Sequence, residues 1–97
     1  MKGYFYILTN RNNSVLYAGV TSDLKGRLIK HKTKRYPDSF TARYNVDKLV
    51  YYETFDTIGE AIKREKQIKA GSRKKKVQLI EGINPGWVEL MVYGETR

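Results

Sequence analysis

Ninety-seven residues, 40% of them apolar and 12% aromatic, are enough for one modest hydrophobic core and leave no room for a second domain. The absence of cysteine excludes a disulfide framework and a thiolate zinc site, and favours a cytoplasmic protein. No apolar run approaches the roughly 18 residues that cross a membrane, so no membrane partner is expected.

The net charge of +9 is concentrated in two short stretches. Six of the nineteen lysines and arginines lie between Lys25 and Arg35, and eight lie between Lys63 and Lys76. Brought together by folding, these stretches would form a field suited to a polyanion, and nucleic acid is the commonest polyanion in a cell. Charge alone leaves open a solvated basic surface or attraction to acidic lipid.

The first predicted elements are a β-hairpin and a helix. Tyr4 to Thr9 and Val15 to Thr21 are rich in aromatic and β-branched residues, and five turn formers separate them. This pattern predicts two antiparallel strands. A hydroxyl at Thr21 or Ser22 is suited to cap a helix that runs from about Asp23 to Lys32.

The next segments are predicted to be a loop, a strand and a helix. Residues 35–46 have no period and include a proline, which indicates a loop. Lys48 to Phe55 is aromatic and β-branched, as expected of a third strand. Thr57 and Glu60 form a capping box that begins the second helix, and Gly71 is placed to end it.

The C-terminal part is predicted to hold a third helix and a tail. Ser72 can cap the helix, and Trp87 is expected to cover an edge of the core. The order of elements predicts an α+β fold, a small three-stranded antiparallel sheet flanked by about three helices. The domain is expected to span residues 1–87, with a tail over 88–97.

Glu65 is the sharpest candidate for a functional residue. It falls on the helical stripe formed by Ile58, Ala61, Ile62 and Ile68, where a carboxylate needs a partner or a cleft. The plainer interpretation is a glutamate at the stripe edge that reaches Arg64 or Lys69. The functional interpretation is a ligand of Mg²⁺, with waters and a substrate phosphate completing the coordination.

Arg27 and His31 are candidates for contact with a phosphate. They are four residues apart and therefore project from one face of the first helix. A guanidinium can donate two parallel hydrogen bonds to phosphate oxygens and keeps its charge. A solvated basic helix is the alternative. His31 is the only histidine, which excludes catalysis by paired histidines.

Tyr6 and Tyr17 lie on the two hairpin strands, where a register that pairs them across the turn is plausible. Packing explains most of the eight tyrosines of such a domain, and spacing alone does not select these two. A tyrosine base must also lose a proton of reference pKa about 10, so a nearby cation is required.

Taken in order, these motifs resemble the GIY-YIG nuclease family, in particular its short bacterial branch related to the N-terminal domain of a DNA excinuclease. The resemblance covers roughly residues 1–87. Tyr4-Phe5-Tyr6 and Tyr17-Ala18-Gly19 stand where the family has Gly-Ile-Tyr and Tyr-Ile-Gly. Residues 19–28 resemble its first helix, and residues 61–69 its metal-binding helix. The first glycine of the family pattern is replaced by Tyr4.

The resemblance implies a DNA endonuclease dependent on Mg²⁺ or Mn²⁺, in repair, recombination or mobile-element biology, with RNA not excluded. Tyr17 would act as general base, with Tyr6 positioning water or phosphate and His31 in support. Arg27 would stabilise charge, and Glu65 would bind the metal. Asn84 is the candidate for an asparagine that many members carry after the metal-binding helix. The basic residues expected to bind DNA are Lys25, Lys30, Lys32, Lys34, Arg35, Lys69, Arg73, Lys74 and Lys75.

Two other functions remain open from the sequence. The first is a nucleic-acid-binding module that keeps the fold but cuts poorly or not at all. An abandoned site would be expected to lose Glu65 or Tyr17, and both are present. The second is covalent tyrosine chemistry, which the single histidine disfavours because metal-dependent tyrosine nickases use clustered histidines.

Overall fold

The centre of the fold is a three-stranded antiparallel sheet in the order β2-β1-β3. The computed structural model describes residues 1–92, and four helices lie within that range. The α+β class is therefore confirmed, with one helix more than predicted. In chain order the elements are β1 (Gly3–Thr9), β2 (Leu16–Thr21), α1 (Leu24–Lys32), α2 (Phe40–Arg43), β3 (Lys48–Phe55), α3 (Ile58–Lys69) and α4 (Arg73–Ile83).

The predicted hairpin and third strand are confirmed, and β1 becomes the buried central strand. Tyr6 pairs with Gly19 on one side and with Tyr52 on the other, while Tyr17 pairs with Leu8, so the register that would pair Tyr6 with Tyr17 is wrong. All seven residues of β1 are buried because helices cover both sides of the sheet. Successive side chains of a strand point to opposite sides, so one strand supplies two different surfaces.

The two sides of the sheet differ in composition. The apolar face, packed under α3 and α4, consists of Phe5, Ile7, Ala18, Val50, Tyr51, Ile68 and Ile80. The tyrosine face, packed under α1, consists of Tyr4, Tyr6, Leu8, Leu24, Val46 and Leu49, with Tyr17 and Leu28 half-buried against it. The helices that carry the two basic stretches therefore lie on opposite sides of the sheet, and the expectation that folding joins them is not met.

Helix α1 is capped one residue later than predicted. The Asp23 carboxylate, not a hydroxyl, accepts the hydrogen bond of the Gly26 amide at 3.1 Å, while the Thr21 hydroxyl accepts from the Asp23 amide at 3.1 Å. A Cβ atom at residue 26 would collide with the Asp23 carboxylate. The cap therefore accounts for a glycine inside a helix.

Residues 35–46 were predicted to be a loop and contain the short helix α2. The Ser39 hydroxyl accepts the hydrogen bond of the Ala42 amide at 3.3 Å and begins the helix. Four residues are too few for a helical period to show in the sequence. Burial of Thr41 and Ala42 stabilises this turn, and burial is a tertiary property.

Helix α3 begins at the predicted cap, where the Thr57 hydroxyl accepts from the Glu60 amide at 3.2 Å. The Glu60 carboxylate accepts from the Thr57 hydroxyl and not from a backbone amide, so only half of the predicted capping box forms. Its predicted apolar stripe is wrong at Ile62, which is 39% exposed, whereas Ala61 and Ile68 are buried. The opposite edge of the helix is tied to β3, since Arg64 donates two hydrogen bonds, of 2.9 and 3.0 Å, to the carboxylate of Glu53.

The segment after α4 packs against the domain as far as it is described. Trp87 packs against the apolar face, as predicted. The Leu90 amide then donates to the carbonyl of Leu49 at 2.8 Å. The last five residues of the predicted tail, 93–97, lie outside the described residues. No helix of residues 1–92 is long and apolar enough to cross a membrane.

Candidate nuclease active site

Three of the predicted site residues form an aromatic cluster at the tyrosine face. The Tyr6 hydroxyl lies 3.3 Å from Nε2 of His31. The Tyr17 ring centroid is 6.4 Å from that of Tyr6 and 5.9 Å from that of His31. Three separate elements, β1, β2 and α1, thus bring these side chains together.

Gly19 makes this arrangement possible. It is the strand partner of Tyr6, and a Cβ atom built at residue 19 would lie 2.6 Å from Cζ and from the hydroxyl oxygen of Tyr6. The Tyr6 ring therefore lies across the glycine backbone, where any side chain would displace it. The absence of a side chain at Gly19 therefore determines the position of the Tyr6 hydroxyl.

Arg27 completes the cluster from the same face of α1 as His31. Its guanidinium lies close enough to Tyr6 for its charge to favour the ionised form of that hydroxyl. Nε2 of His31, 3.3 Å from the Tyr6 oxygen, accepts the Tyr6 proton when the other ring nitrogen carries the hydrogen. In that tautomer Nδ1–H of His31 donates to the hydroxyl of Thr41, 3.0 Å away.

The pKa values of the cluster follow from burial and from its neighbours. Burial, reinforced by Tyr17 and only partly opposed by Arg27, raises the pKa of Tyr6 to about 12. Burial, together with the Arg27 charge, lowers the pKa of His31 below its usual 6.5. At neutral pH, Tyr6 is protonated and His31 is neutral, as the hydrogen-bond chain requires.

A cavity of about 360 Å³ opens beside this cluster, within the usual size of a small-ligand site. Its wall includes Tyr17, Arg27 and His31 on one side and the hydroxyls of Ser39 and Thr41 on the other. Two of the predicted DNA-binding cations, Lys30 and Lys34, also line it. The cavity thus combines hydrogen-bonding groups with three positive charges.

Glu65 approaches the cluster from α3, across the sheet. Its carboxylate is half-buried and close enough to contribute to the raised pKa of Tyr6. It also forms an ion pair with Lys69 at 3.2 Å, the partner that the plainer interpretation expects. Lys69 is largely exposed, so the ion pair is weak, and a metal ion can replace Lys69 at the carboxylate of Glu65.

The donor set suits a metal ion held by a single carboxylate. Within residues 1–92 there is no group of three histidine or acidic side chains that could enclose a metal. Mg²⁺ commonly uses one or two carboxylates and takes its remaining ligands from water and substrate phosphate. A half-buried carboxylate near a cationic cavity fits that requirement.

Asn84 lies apart from these residues. Its amide nitrogen donates to the carbonyls of Val50 at 3.1 Å and Val88 at 2.8 Å, and its oxygen accepts from the Val88 amide at 3.0 Å. These bonds occupy both donors of the side chain and hold the turn after α4 against β3. The structure thus gives Asn84 a structural task and does not bring it to the cavity.

The other predicted DNA-binding residues are dispersed. Lys32 is held by Glu89 and by the carbonyl of Asp47, and Arg73 donates to the carbonyl of Asn13 at 3.3 Å in the hairpin turn. The remaining members of the set do not line the cavity: Lys25, Arg35, Lys69, Lys74 and Lys75. Among the residues described, the lysines and arginines that line the cavity all come from the first basic stretch, Lys25 to Arg35.

Sequence reasoning missed Thr41 and Phe40. Thr41 is buried and contacts His31, and the Phe40 ring lies nearly parallel to that of Tyr17, at 25° and 6.5 Å between centroids. Both belong to the short helix α2, which the sequence did not reveal. The cluster of Tyr36, Phe40 and Tyr44 in an otherwise polar segment was the available signal.

Comparison with known proteins identifies the family of this chain. The family described as "GIY-YIG catalytic domain" matches residues 2–78. The chain therefore belongs to the GIY-YIG family, a family of nucleases that act on nucleic acid and typically use divalent metals.

Its relatives are small single-domain proteins named UPF0213. One from Staphylococcus saprophyticus is 44% identical over 79 residues, which is 81% of this chain and 94% of the relative. One from Syntrophus aciditrophicus is 39% identical over 80 residues, 82% and 91% of the two chains. The solution structure of a UPF0213 protein from Bacillus halodurans is similar, with a TM-score of 0.54, 32% identity and coverage of 89% and 88%.

Proposed function

We propose that this protein is a divalent-metal-dependent endonuclease that hydrolyses phosphodiester bonds in DNA. The observation that carries the proposal is that Tyr17, Arg27 and His31 line one cationic cavity, with the buried Tyr6 hydroxyl 3.3 Å from His31 and the Glu65 carboxylate near Tyr6. In the reaction, water attacks phosphorus and the bond from phosphorus to the 3′ oxygen breaks.

The two tyrosines have different tasks in this proposal. Tyr6 has no exposed surface and a pKa of about 12, so deprotonating it at pH 7 costs about 7 kcal/mol. It acts as a hydrogen-bonding group that positions water or phosphate. Tyr17 is half-buried and lines the cavity, where water has access; its own proton passes to solvent, and the resulting phenolate takes the proton of the attacking water.

The charged residues stabilise the transition state. Arg27 lines the cavity and donates to the phosphate oxygens as negative charge builds on them. Glu65 holds Mg²⁺ or Mn²⁺, which when bound supplies positive charge at the scissile phosphate. Neutral His31 keeps the hydroxyl of Tyr6 oriented through Nε2.

A plasmid-nicking assay tests the proposal. Supercoiled plasmid is incubated with the protein and Mg²⁺ or Mn²⁺, and relaxed circles are quantified for wild type, Glu65→Gln and Tyr17→Phe. We expect each variant to lose about 100-fold or more in nicking rate, the usual contribution of a general base or charged stabiliser.

Matched controls are available on the same chain. Asp56→Asn removes an exposed carboxylate, and Tyr52→Phe removes a tyrosine hydroxyl that does not line the cavity. Both should nick at the wild-type rate. Nicking that survives in both site variants would reject the assignment of the site. A wild-type protein that binds plasmid and never nicks it would favour the binding module instead.

A further inference from the structure

The segment between α1 and β3 presents aromatic rings to solvent beside the cavity. Tyr36 is 61% exposed, Phe40 48% and Tyr44 50%. Single exposed aromatics are ordinary on a protein surface, but these three lie within nine residues. Tyr36 and Phe40 also line the same cavity as Tyr17 and Arg27. Their position connects this aromatic group to the proposed catalytic residues.

Phe40 is held in place by its neighbours. Its ring centroid lies 4.9 Å from that of Tyr44 and 6.5 Å from that of Tyr17, nearly parallel to the latter. The Arg43 guanidinium lies over the Tyr44 ring, 5.9 Å from its centroid. Buried Thr41 and Ala42 anchor the helix from below. A ring supported on two sides and open on the rest is suited to stack against a planar ligand.

Positive charge surrounds these rings. Lys30 and Lys34 line the cavity together with Tyr36 and Phe40. Lys34 adopts the left-handed backbone conformation, with φ of 53°, in the turn that ends α1. Glycine is favoured at such a position, so a lysine there is conformationally costly. The cost is understandable if the lysine contributes its charge to the site.

We propose that Tyr36 and Phe40 form a stacking subsite for an unpaired base of single-stranded DNA, adjacent to the scissile phosphate. This inference rests on the proposed function and specifies its substrate. Aromatic rings alternating with cations are the usual means of binding single strands, because rings stack on bases while cations follow the phosphates. In a duplex the faces of the bases are already stacked on one another, so these rings would find no partner there.

Equilibrium binding without metal separates this subsite from cleavage. Fluorescence anisotropy in EDTA, at one fixed salt concentration, compares three probes: a labelled oligothymidylate, the same strand paired with its complement, and a strand of equal length with abasic sites. The proteins are wild type, Phe40→Ala, Phe40→Leu, Phe40→Trp and Tyr36→Ala. Ile83→Ala is the control, since Ile83 is 64% exposed on α4 and lies outside the cavity.

We expect Phe40→Ala, Phe40→Leu and Tyr36→Ala to weaken binding of the oligothymidylate by about 5- to 150-fold, which corresponds to about 1–3 kcal/mol per stacked base. Phe40→Trp should bind it as wild type does. Affinity for the duplex and for the abasic strand should not change, because phosphate contacts remain. The Ile83→Ala control should match wild type on every probe.

Two results would overturn the subsite. One is an oligothymidylate affinity of Phe40→Ala within about twofold of wild type, which would leave the aromatic group as a surface for a protein partner. The other is an equal loss on all three probes, which would indicate a general contact with the backbone. Plasmid nicking is scored separately. A protein with the expected binding pattern and no nicking would contradict the nuclease proposal and keep the subsite.

Discussion

The apolar face and the tyrosine face of the sheet are built from alternate residues of the same strand. Phe5 and Ile7 of β1 pack in a mainly apolar cluster under α3 and α4, with the Tyr51 ring edge-on to Phe5. Tyr4 and Tyr6, one residue away, point to the other side, where Tyr6 lies against His31 and near Arg27, and those two residues line a cavity. The first side is closed, and the second is open to solvent at the site.

The difference shows how one small sheet separates stability from chemistry. Removal of apolar area from water stabilises the fold, and the apolar face provides most of it, with the buried hydroxyl of Tyr51 satisfied by Glu53. The tyrosine face carries polar groups that satisfy one another in the chain from Tyr6 through His31 to Thr41, with the charge of Arg27 close to Tyr6. Substitutions on the two faces should therefore have different consequences.

The largest effect on stability is expected at the apolar face. Ile80 is fully buried there, and Ile80→Ala should lower the free energy of unfolding by about 2–5 kcal/mol, because it leaves a cavity. Urea unfolding measures this loss. Nicking per folded molecule should stay at the wild-type level at low temperature. A proportionate loss of nicking in the folded protein would show that the faces are coupled.

The alkaline limit of stability should depend on one buried tyrosine from each face, and only the tyrosine of the site should also affect nicking. The pKa of Tyr6 is raised from 10.0 to about 12 in the folded state, so its contribution to stability is complete below pH 10 and is lost as pH rises toward 12. The contribution is about 2–3 kcal/mol.

Urea unfolding from pH 8 upward compares wild type with Tyr6→Phe and Tyr51→Phe. Each variant should lose stability less steeply above pH 10, because Tyr51 on the apolar face also has its pKa raised to about 12, by burial and by Glu53. Tyr6→Phe alone should also affect nicking. An unchanged alkaline slope in Tyr6→Phe would contradict the proposed burial of that hydroxyl.

A smaller effect is expected from one methyl group at the site. Gly19→Ala places a Cβ atom against the Tyr6 ring and should cost about 1–3 kcal/mol of stability, with slower nicking as Tyr6 shifts. Gly82→Ala is the matched control, because nothing lies within 4 Å of its Cβ position. That change should be neutral or stabilise helix α4 by up to about 1 kcal/mol. If Gly19→Ala and Gly82→Ala had the same stability and the same nicking rate, Gly19 would have no role in positioning Tyr6.

The smallest effect is expected at Thr41, which acts through His31. Thr41→Val keeps the shape of the side chain and removes the hydroxyl that lies 3.0 Å from Nδ1 of His31. Loss of this hydrogen bond should slow nicking about fivefold, because about 1 kcal/mol of hydrogen bonding corresponds to about that change in rate. Thr41→Ser should restore the rate. The pH dependence of nicking tests whether Thr41 acts by positioning His31. The acid side of the pH–rate profile, which reports the protonation of His31, should shift in Thr41→Val and not in Thr41→Ser.

The sequence predicted the elements whose signals are local. Turn formers between β-rich runs predicted the hairpin, and the capping box predicted the start of α3. Helix α2 was missed because four residues give no period, and its stability comes from burial of Thr41 and Ala42. Ile62 was misassigned because the period fixes a helical stripe but not the width of the surface that covers it.

The candidate site was predictable where a motif carried it and unpredictable where packing decides. The resemblance supplied Tyr6, Tyr17, Arg27, His31 and Glu65, and these are the residues that approach one another. No motif pointed to Thr41 or Phe40, and the choice of Asn84 rested on the resemblance, in which an asparagine follows the metal-binding helix at no fixed spacing. Its side chain is instead occupied by the backbone of β3 and of the following turn.

By itself the sequence determined the α+β class, the three strands, the ends of most helices and the residues that resemble a nuclease motif, because propensity, capping and charge act over a few neighbouring residues. Only the tertiary structure decided which basic stretch serves the cavity, why Gly19 and Gly26 are glycines, and where the exposed aromatic rings lie. Those properties depend on burial and close approach between distant segments, which no local pattern encodes.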